Sequence, residues 1–223
     1  MATLDNNIHT TVFTPRDFQT ELLAASFEEN TLICLGHRSS KEFIALKLLQ
    51  EMAGAARKAQ KFSIYLTQNN RETSSMYTML SHLTDLKVQQ MLAKDEATDD
   101  KAADGLSAND AVLLPPNFQV YVMHPQQLLR LLRSGLMRLQ QIYLLIVEDC
   151  HVNEMLVQVW PLFEKFLADG SNKPSQFPKI LGMGGPLHSC GCPLENLNAM
   201  LNSLESSLHC KAETASDIVT VLR

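Results

Sequence analysis

A lysine and paired carboxylates placed where apolar runs end, with glycines beside them, are the residues that phosphate chemistry uses. This chain carries such residues at three places. Residues 31–42 read Thr-Leu-Ile-Cys-Leu-Gly-His-Arg-Ser-Ser-Lys-Glu. An apolar run, a short polar loop and a helical pattern follow one another there, the layout of a strand, a phosphate loop and a helix. The working loop, G-x-x-x-x-G-K-[ST], wraps backbone N–H groups around phosphates, brings its lysine to them and offers a hydroxyl to Mg²⁺. Gly36 and Lys41 keep their places. His37, Arg38 and Ser39 fill the loop, Ser40 replaces the second glycine and Glu42 replaces the hydroxyl residue. The second place is Glu148-Asp149-Cys150-His151, directly after the apolar run 142–147. The third is Gly184-Gly185-Pro186, after the run 179–183.

The elements that must position these groups alternate. A helix is expected from Thr14-Pro15, a cap and an N1 proline, to Asn30, with Phe18, Leu22, Leu23 and Phe27 on one face. Unbroken apolar residues over 31–35 suit a strand buried on both sides. A helix runs from Lys41 to about Lys58. Strand 61–67 is followed by a polar turn at Gln68-Asn69-Asn70 and a helix carrying Met76, Met79, Leu80 and Leu83; 88–92 reads as a further short strand. Strand 119–123 leads to a helix opened by Pro125 and stopped at Gly135. Strand 142–147, a helix over 153–167 with Pro161 as a kink, strand 179–183 and a leucine-faced helix (Leu194, Leu197, Leu201, Leu204, Leu208) complete the series. Strands alternating with helices predict an α/β fold with a mainly parallel sheet and helices on both faces. Ligands of such sheets bind beyond the strands' carboxyl ends. The three unusual loops sit at those ends and are expected to converge.

Composition narrows the field. The 223 residues are 45% hydrophobic and 19% charged, enough for one sizeable core. A net charge of −5 argues against a bulk electrostatic grip on nucleic acid, leaving only a local basic groove. Five cysteines form no disulfide framework, and no signal peptide is evident, so a reducing, cytoplasmic setting is expected. No apolar run approaches the roughly 20 residues of a membrane span. Cys190-Gly-Cys192 with His188 lacks zinc-finger spacing and no second pair follows, so no metal site is expected. Cys34 and Cys150 read as core residues. Residues 93–117 open with Lys94, Asp95, Glu96, Asp99 and Asp100, poor in large apolar groups, and read as a disordered acidic insertion.

The order of the three loops resembles the first lobe of a superfamily 2 helicase, which has the RecA-like fold. The family's upstream glutamine corresponds to Gln19. Its phosphate loop corresponds to residues 36–42, its Asp-Glu-x-His box to 148–151 and its Ser-Ala-Thr-like loop to 184–186. Phe-Thr-Pro-Arg-Asp-Phe-Gln-Thr-Glu-Leu-Leu (13–23), Lys-Glu-Phe-Ile-Ala-Leu (41–46), Glu-Asp-Cys-His (148–151) and Ala-Glu-Thr-Ala-Ser-Asp-Ile-Val (212–219) narrow the resemblance to the Dicer helicase, above all that of invertebrate microRNA-type Dicers. On this reading the whole chain is one helicase lobe, truncated after residue 223. The resemblance implies a second RecA lobe supplying arginines to the ATP site, Mg²⁺-dependent RNase III domains elsewhere, and contact with double-stranded RNA, precursor microRNA hairpins and a double-stranded RNA-binding partner protein. Asn69, Arg71 and His124, in loops at strand ends, are the candidate RNA contacts.

The departures from the family pattern predict a lost ATPase and no cofactor in this lobe. Glu42 sets a carboxylate beside a polyphosphate. Two like charges near 4 Å repel by roughly 4 kcal/mol at an effective dielectric of 20, about three decades of affinity. In the family the Asp holds Mg²⁺ and the Glu polarises water; Glu148-Asp149 reverses both lengths. The glycine loop lacks both hydroxyls of Ser-Ala-Thr. The competing expectation is an active ATP-dependent RNA helicase lobe with Mg–ATP on an unorthodox loop, Lys41 being retained.

Overall fold

The computed structural model describes residues 15–36, 41–92, 117–151, 177–185 and 194–213, with Val159, Pro161 and Lys165. Five helices flank one sheet among these residues: α1 (Asp17–Glu28), α2 (Lys41–Lys58), α3 (Asn70–Leu83), α4 (Pro125–Arg133) and α5 (Leu197–Leu208). The strands are β1 (Thr31–Cys34), β2 (Phe62–Leu66), β3 (Val88–Met91), β4 (Val120–Met123), β5 (Ile142–Val147), β6 (Lys179–Gly184) and β7 (Lys211–Glu213). Their order is β3-β4-β2-β5-β6-β1-β7. Every pairing is parallel. The α/β fold expected from the alternation is the observed one.

Strand composition follows from burial on both faces. Along β5, Leu144 and Ile146 point into a core shared with α1, α2 and α3, where Phe18, Leu22, Ile44, Leu48, Met76 and Leu80 meet. Leu145 and Val147 point into the opposite core, with Leu128, Leu129 and Leu131 of α4 and Leu208 of α5. A side-chain period of two on a sheet covered on both sides calls for apolar residues at every position. Along the leucine face of α5, Leu201 and Leu204 lie half-buried against this second core and Leu208 is buried in it. Cys150 is buried there too and Cys34 packs against it. Gly182 lets α5 come close: a Cβ there would stand 2.9 Å from Leu208 Cδ1 and 3.1 Å from Leu32 Cδ1. Gly182→Ala is expected to destabilise by about 1–3 kcal/mol through overpacking, measured by urea unfolding.

Three local readings change. Helix α1 is capped at Arg16, one residue after Pro15, and Gln19 closes the first turn by accepting the Arg16 N–H at 3.0 Å. It ends at Glu28, because Asn30 serves the sheet instead. Asn30 Nδ2 donates to the His209 carbonyl and its Oδ1 accepts the Ile180 N–H, both at 3.0 Å. The third change is β7, whose Lys-Ala-Glu carries no strand pattern; it pairs with the exposed side of β1. No described helix is long and apolar enough to cross a membrane. The insertion 93–116, the helix expected over 153–167 apart from Val159, Pro161 and Lys165, and Cys190, Cys192 and His188 lie outside the described residues.

Candidate nucleotide site

Backbone bonds carry the strand ends into one edge. Leu35 N–H donates to the Gly184 carbonyl, Glu148 N–H to Leu66, Thr67 N–H to Met123 and Cys150 N–H to Met183. Gly36, Gln68, His124, Glu148 and Gly185 therefore follow adjacent strands of one sheet, as the loop positions predict. His37, Arg38, Ser39, Ser40 and Pro186 lie outside the described residues.

At the centre, Lys41 Nζ and Asp149 Oδ1 form an ion pair at 3.0 Å. Lys41 is only 3% exposed, so its charge needs this partner. Asp149 adopts φ 45°, in the left-handed region that Asp tolerates better than most side chains. This tight turn after β5 sets its carboxylate against the start of α2. Glu42, in the first turn of α2, lies beside the same lysine. Glu148 is pushed up to about 7, first by burial, then by Asp149, Glu72 and Glu42, with Lys41 opposing. Among the described residues, three carboxyl groups, Glu42, Glu148 and Asp149, thus adjoin a single lysine.

Tyr65 belongs to this group, although nothing in its apolar strand flagged it. Its residue pairs with Ile146 in register, two positions before Glu148. Its hydroxyl is fully buried and completes no hydrogen bond of ordinary geometry. Burial first, then Glu148, Glu42 and Asp149, hold it protonated, with Glu148 the carboxylate its O–H addresses. A phenol near the carboxyl end of β2, a strand that also carries Ser63, is too common a feature to single out.

His151 reaches the third loop. Gly185 N–H donates to His151 Nδ1 at 3.4 Å. A Cβ at Gly185 would stand 3.2 Å from His151 Nε2, and one at Gly184 3.2 Å from Cys34 Sγ. The glycine pair is thus fitted to the histidine ring, and a serine at Gly184 would crowd it. Cys150 is buried, and burial pushes its thiol well up, with Cys34 and Cys210 adding to the shift, so it stays an unreactive thiol. Gln19 spends its carboxamide oxygen on the α1 cap.

Two of the three candidate RNA residues serve as caps. Asn69 Oδ1 accepts the Glu72 N–H at 3.0 Å, and Glu72 in turn accepts from Gln68 N and Asn69 Nδ2. His124 Nδ1 accepts the Gln126 N–H at 3.2 Å. Burial lowers the pKa of His124, against a hydrogen bond with the Gln68 backbone, so the ring is neutral near pH 7. Arg71 is exposed on the first turn of α3. Among the described residues no three acidic, histidine or cysteine groups are placed to hold a metal ion.

A parallel sheet with a phosphate-type lysine, an acidic turn and a glycine loop at one edge is the architecture of a RecA-like helicase lobe. The solved helicase domain of Pyrococcus furiosus Hef shares the fold, with a TM-score of 0.66 and 17% identity over 92% of this chain and 40% of that one. No protein-family model matches the chain. The chain is 48% identical over 222 residues to the Drosophila melanogaster endoribonuclease Dcr-1, covering 98% of this chain and 9% of that protein. It is 31% identical over 220 residues to Xenopus tropicalis endoribonuclease Dicer, covering 97% of this chain and 11% of that protein. The chain corresponds to the amino-terminal helicase lobe of the Dicer endoribonucleases. It spans about a tenth of the length of these relatives.

Proposed function

We propose that this lobe works without turning over ATP, as an RNA- and partner-binding scaffold of a cytoplasmic Dicer-type endoribonuclease that processes microRNA precursors. The observation that carries the reading is the carboxylate excess at the phosphate site. Lys41 is committed to Asp149, and Glu42 and Glu148 are the chain neighbours of that pair, near enough for Glu42 to add to the upward shift of Glu148. The residues present do not fit a magnesium nucleotide: an anion there meets like charge in a partly desolvated recess. The test is titration of the full-length protein with Mg–ATP. No saturable binding below about 1 mM is expected, given the three decades estimated above. Micromolar binding that disappears in Lys41→Ala overturns the reading in favour of an active helicase lobe.

RNA and the remaining Dicer domains are the partners this reading names, with a double-stranded RNA-binding protein as a further one. RNA contact falls to backbone and shape, with Arg71 an exposed cation beside a described strand-end loop. Arg71→Ala in the full-length protein is expected to weaken hairpin binding several-fold and to lower the salt slope by about one charge. Asn69→Ala removes a cap and is expected to cost about 1 kcal/mol of stability. Unchanged RNA affinity in Arg71→Ala removes this face from the interface.

A further inference from the structure

We propose that the end of α4, where Arg130, Arg133 and Arg138 accompany Leu136, docks a short acidic segment of a separate protein, with carboxylates on the arginines and one apolar side chain on the leucine. Helix α4 runs from the carboxyl end of β4 to the amino end of β5, so its last turn lies at the edge opposite the nucleotide site. The surface is separate from that site and does not depend on how it is read.

The backbone builds the surface. Gly135, at φ 72°, ends the helix. Gly135 N–H donates to the Leu132 carbonyl at 3.2 Å and Met137 N–H to Leu131 at 3.1 Å, which folds the chain back on the last turn. Met137 and Leu139 are buried, and Arg138 between them is extended, with φ −121° and ψ 144°. Alternation in an extended chain turns Leu136 and Arg138 outward. Leu136 stays 40% exposed. Arg130 and Arg133, three residues apart, share one exposed face of α4.

The occupant follows from charge and from the leucine. From residue 111 to residue 147 the sequence contains no Asp or Glu. Among the described residues the ion pairs are those of Lys41 and Lys211, and no carboxylate pairs with any of the three arginines. The helix dipole favours cations in a last turn, which accounts for Arg130 and Arg133. It does not account for Arg138, which lies beyond the helix, or for Leu136. Arginine forks match carboxylates, and protein interfaces favour arginine together with apolar side chains. Leu136 decides between acidic partners, since a phosphate backbone offers it nothing apolar to bury.

The experiment titrates the peptide acetyl-Glu-Asp-Leu-Asp-Glu-amide into the isotope-labelled 223-residue chain at low salt, with NMR shifts at Leu136 and Arg138 as readouts. The same peptide with Ser for Leu, one with Lys for every acid, and a duplex RNA are the parallel arms. The leucine peptide is expected to bind saturably at about 0.1–1 mM, as a few exposed ion pairs allow. The serine peptide should bind several-fold more weakly and the lysine peptide not at all. Arg130→Gln, Arg133→Gln and Arg138→Gln together should weaken the leucine peptide about tenfold, with the urea midpoint of unfolding checked in parallel. Leu136→Ser should bring it to the level of the serine peptide. Lys58→Gln, an exposed cation on α2 across the sheet, should leave it unchanged. No saturable binding, equal binding of the serine peptide, or affinity unchanged in the arginine variant overturns the inference. So does duplex RNA that binds more tightly than the peptide and is lost in that variant, which makes the face a nucleic-acid surface. Self-association lost in the arginine variant, measured by sedimentation, assigns the face to a second copy of this chain. Peptide binding tenfold tighter after deletion of residues 94–110 assigns it to the chain's own acidic stretch. Either result also overturns the inference.

Discussion

Glu148→Gln is expected to stabilise the fold by about 2–3 kcal/mol at pH 8 and to leave stability nearly unchanged at pH 4. The Glu148 carboxyl sits at about 7 in the folded chain against an ordinary 4.5. A raised pKa in an acid means that the folded state holds its proton longer than the unfolded state does. Between pH 4.5 and 7 the folded state binds the extra proton, so stability falls as pH rises through that window. Above it both states are ionised and the full cost persists. The shift corresponds to about 3 kcal/mol, reduced here for the part of the carboxyl that water reaches. Glutamine keeps the shape and carries no charge, so the difference between variant and parent should open from pH 4.5 and level off above 7. Urea unfolding at a series of pH values measures it. A constant difference across that range places the cost of Glu148 in packing rather than charge.

Restoring the loop is expected to have the largest effect on ligand affinity. Ser40→Gly with Glu42→Thr should raise Mg–ATP affinity by about two to three decades, the removal of roughly 4 kcal/mol of like-charge repulsion. Glu42 is the first-turn acid of α2, where a carboxylate favours the helix dipole and disfavours any other anion. Lys41 must then exchange Asp149 for the phosphates. The Lys41–Asp149 contact joins a buried lysine to a partly exposed carboxylate, and breaking it by Lys41→Ala leaves that carboxylate without its lysine, so this control also costs some stability. Calorimetry on parent, double variant and the triple variant with Lys41→Ala separates the two effects. A double variant no tighter than the parent assigns the obstacle to something other than Glu42.

The fold was legible because both-face burial leaves a plain mark. Residues 142–147 are all apolar, and β5 occupies them with alternate side chains in two cores. The loop convergence was legible too, since a parallel sheet puts every strand's carboxyl end at one edge. β7 was not, because three residues Lys-Ala-Glu carry no period; its strand state comes from pairing with β1. The roles of Asn69 and His124 were hidden by their chemistry. A polar side chain at a strand end can face a ligand or cap the next helix, and the choice depends on backbone N–H groups that composition does not reveal. Gln19 shows the same ambiguity. Tyr65 stayed out of sight because its hydroxyl matters only through carboxylates from β5 and α2 that the fold brings to it.

The strand that carries the phosphate-type loop is among the last to be completed. β1 hydrogen-bonds only to β6 and β7 within the sheet, and the contacts of Asn30 that anchor its start span 150 and 179 residues. Emerging at roughly 5–20 residues per second, β1 waits about 10–40 s for partners during synthesis. β2, β3 and β4 can pair meanwhile, all lying before residue 124. The candidate site therefore comes into being late, when the far end of the lobe closes on its beginning.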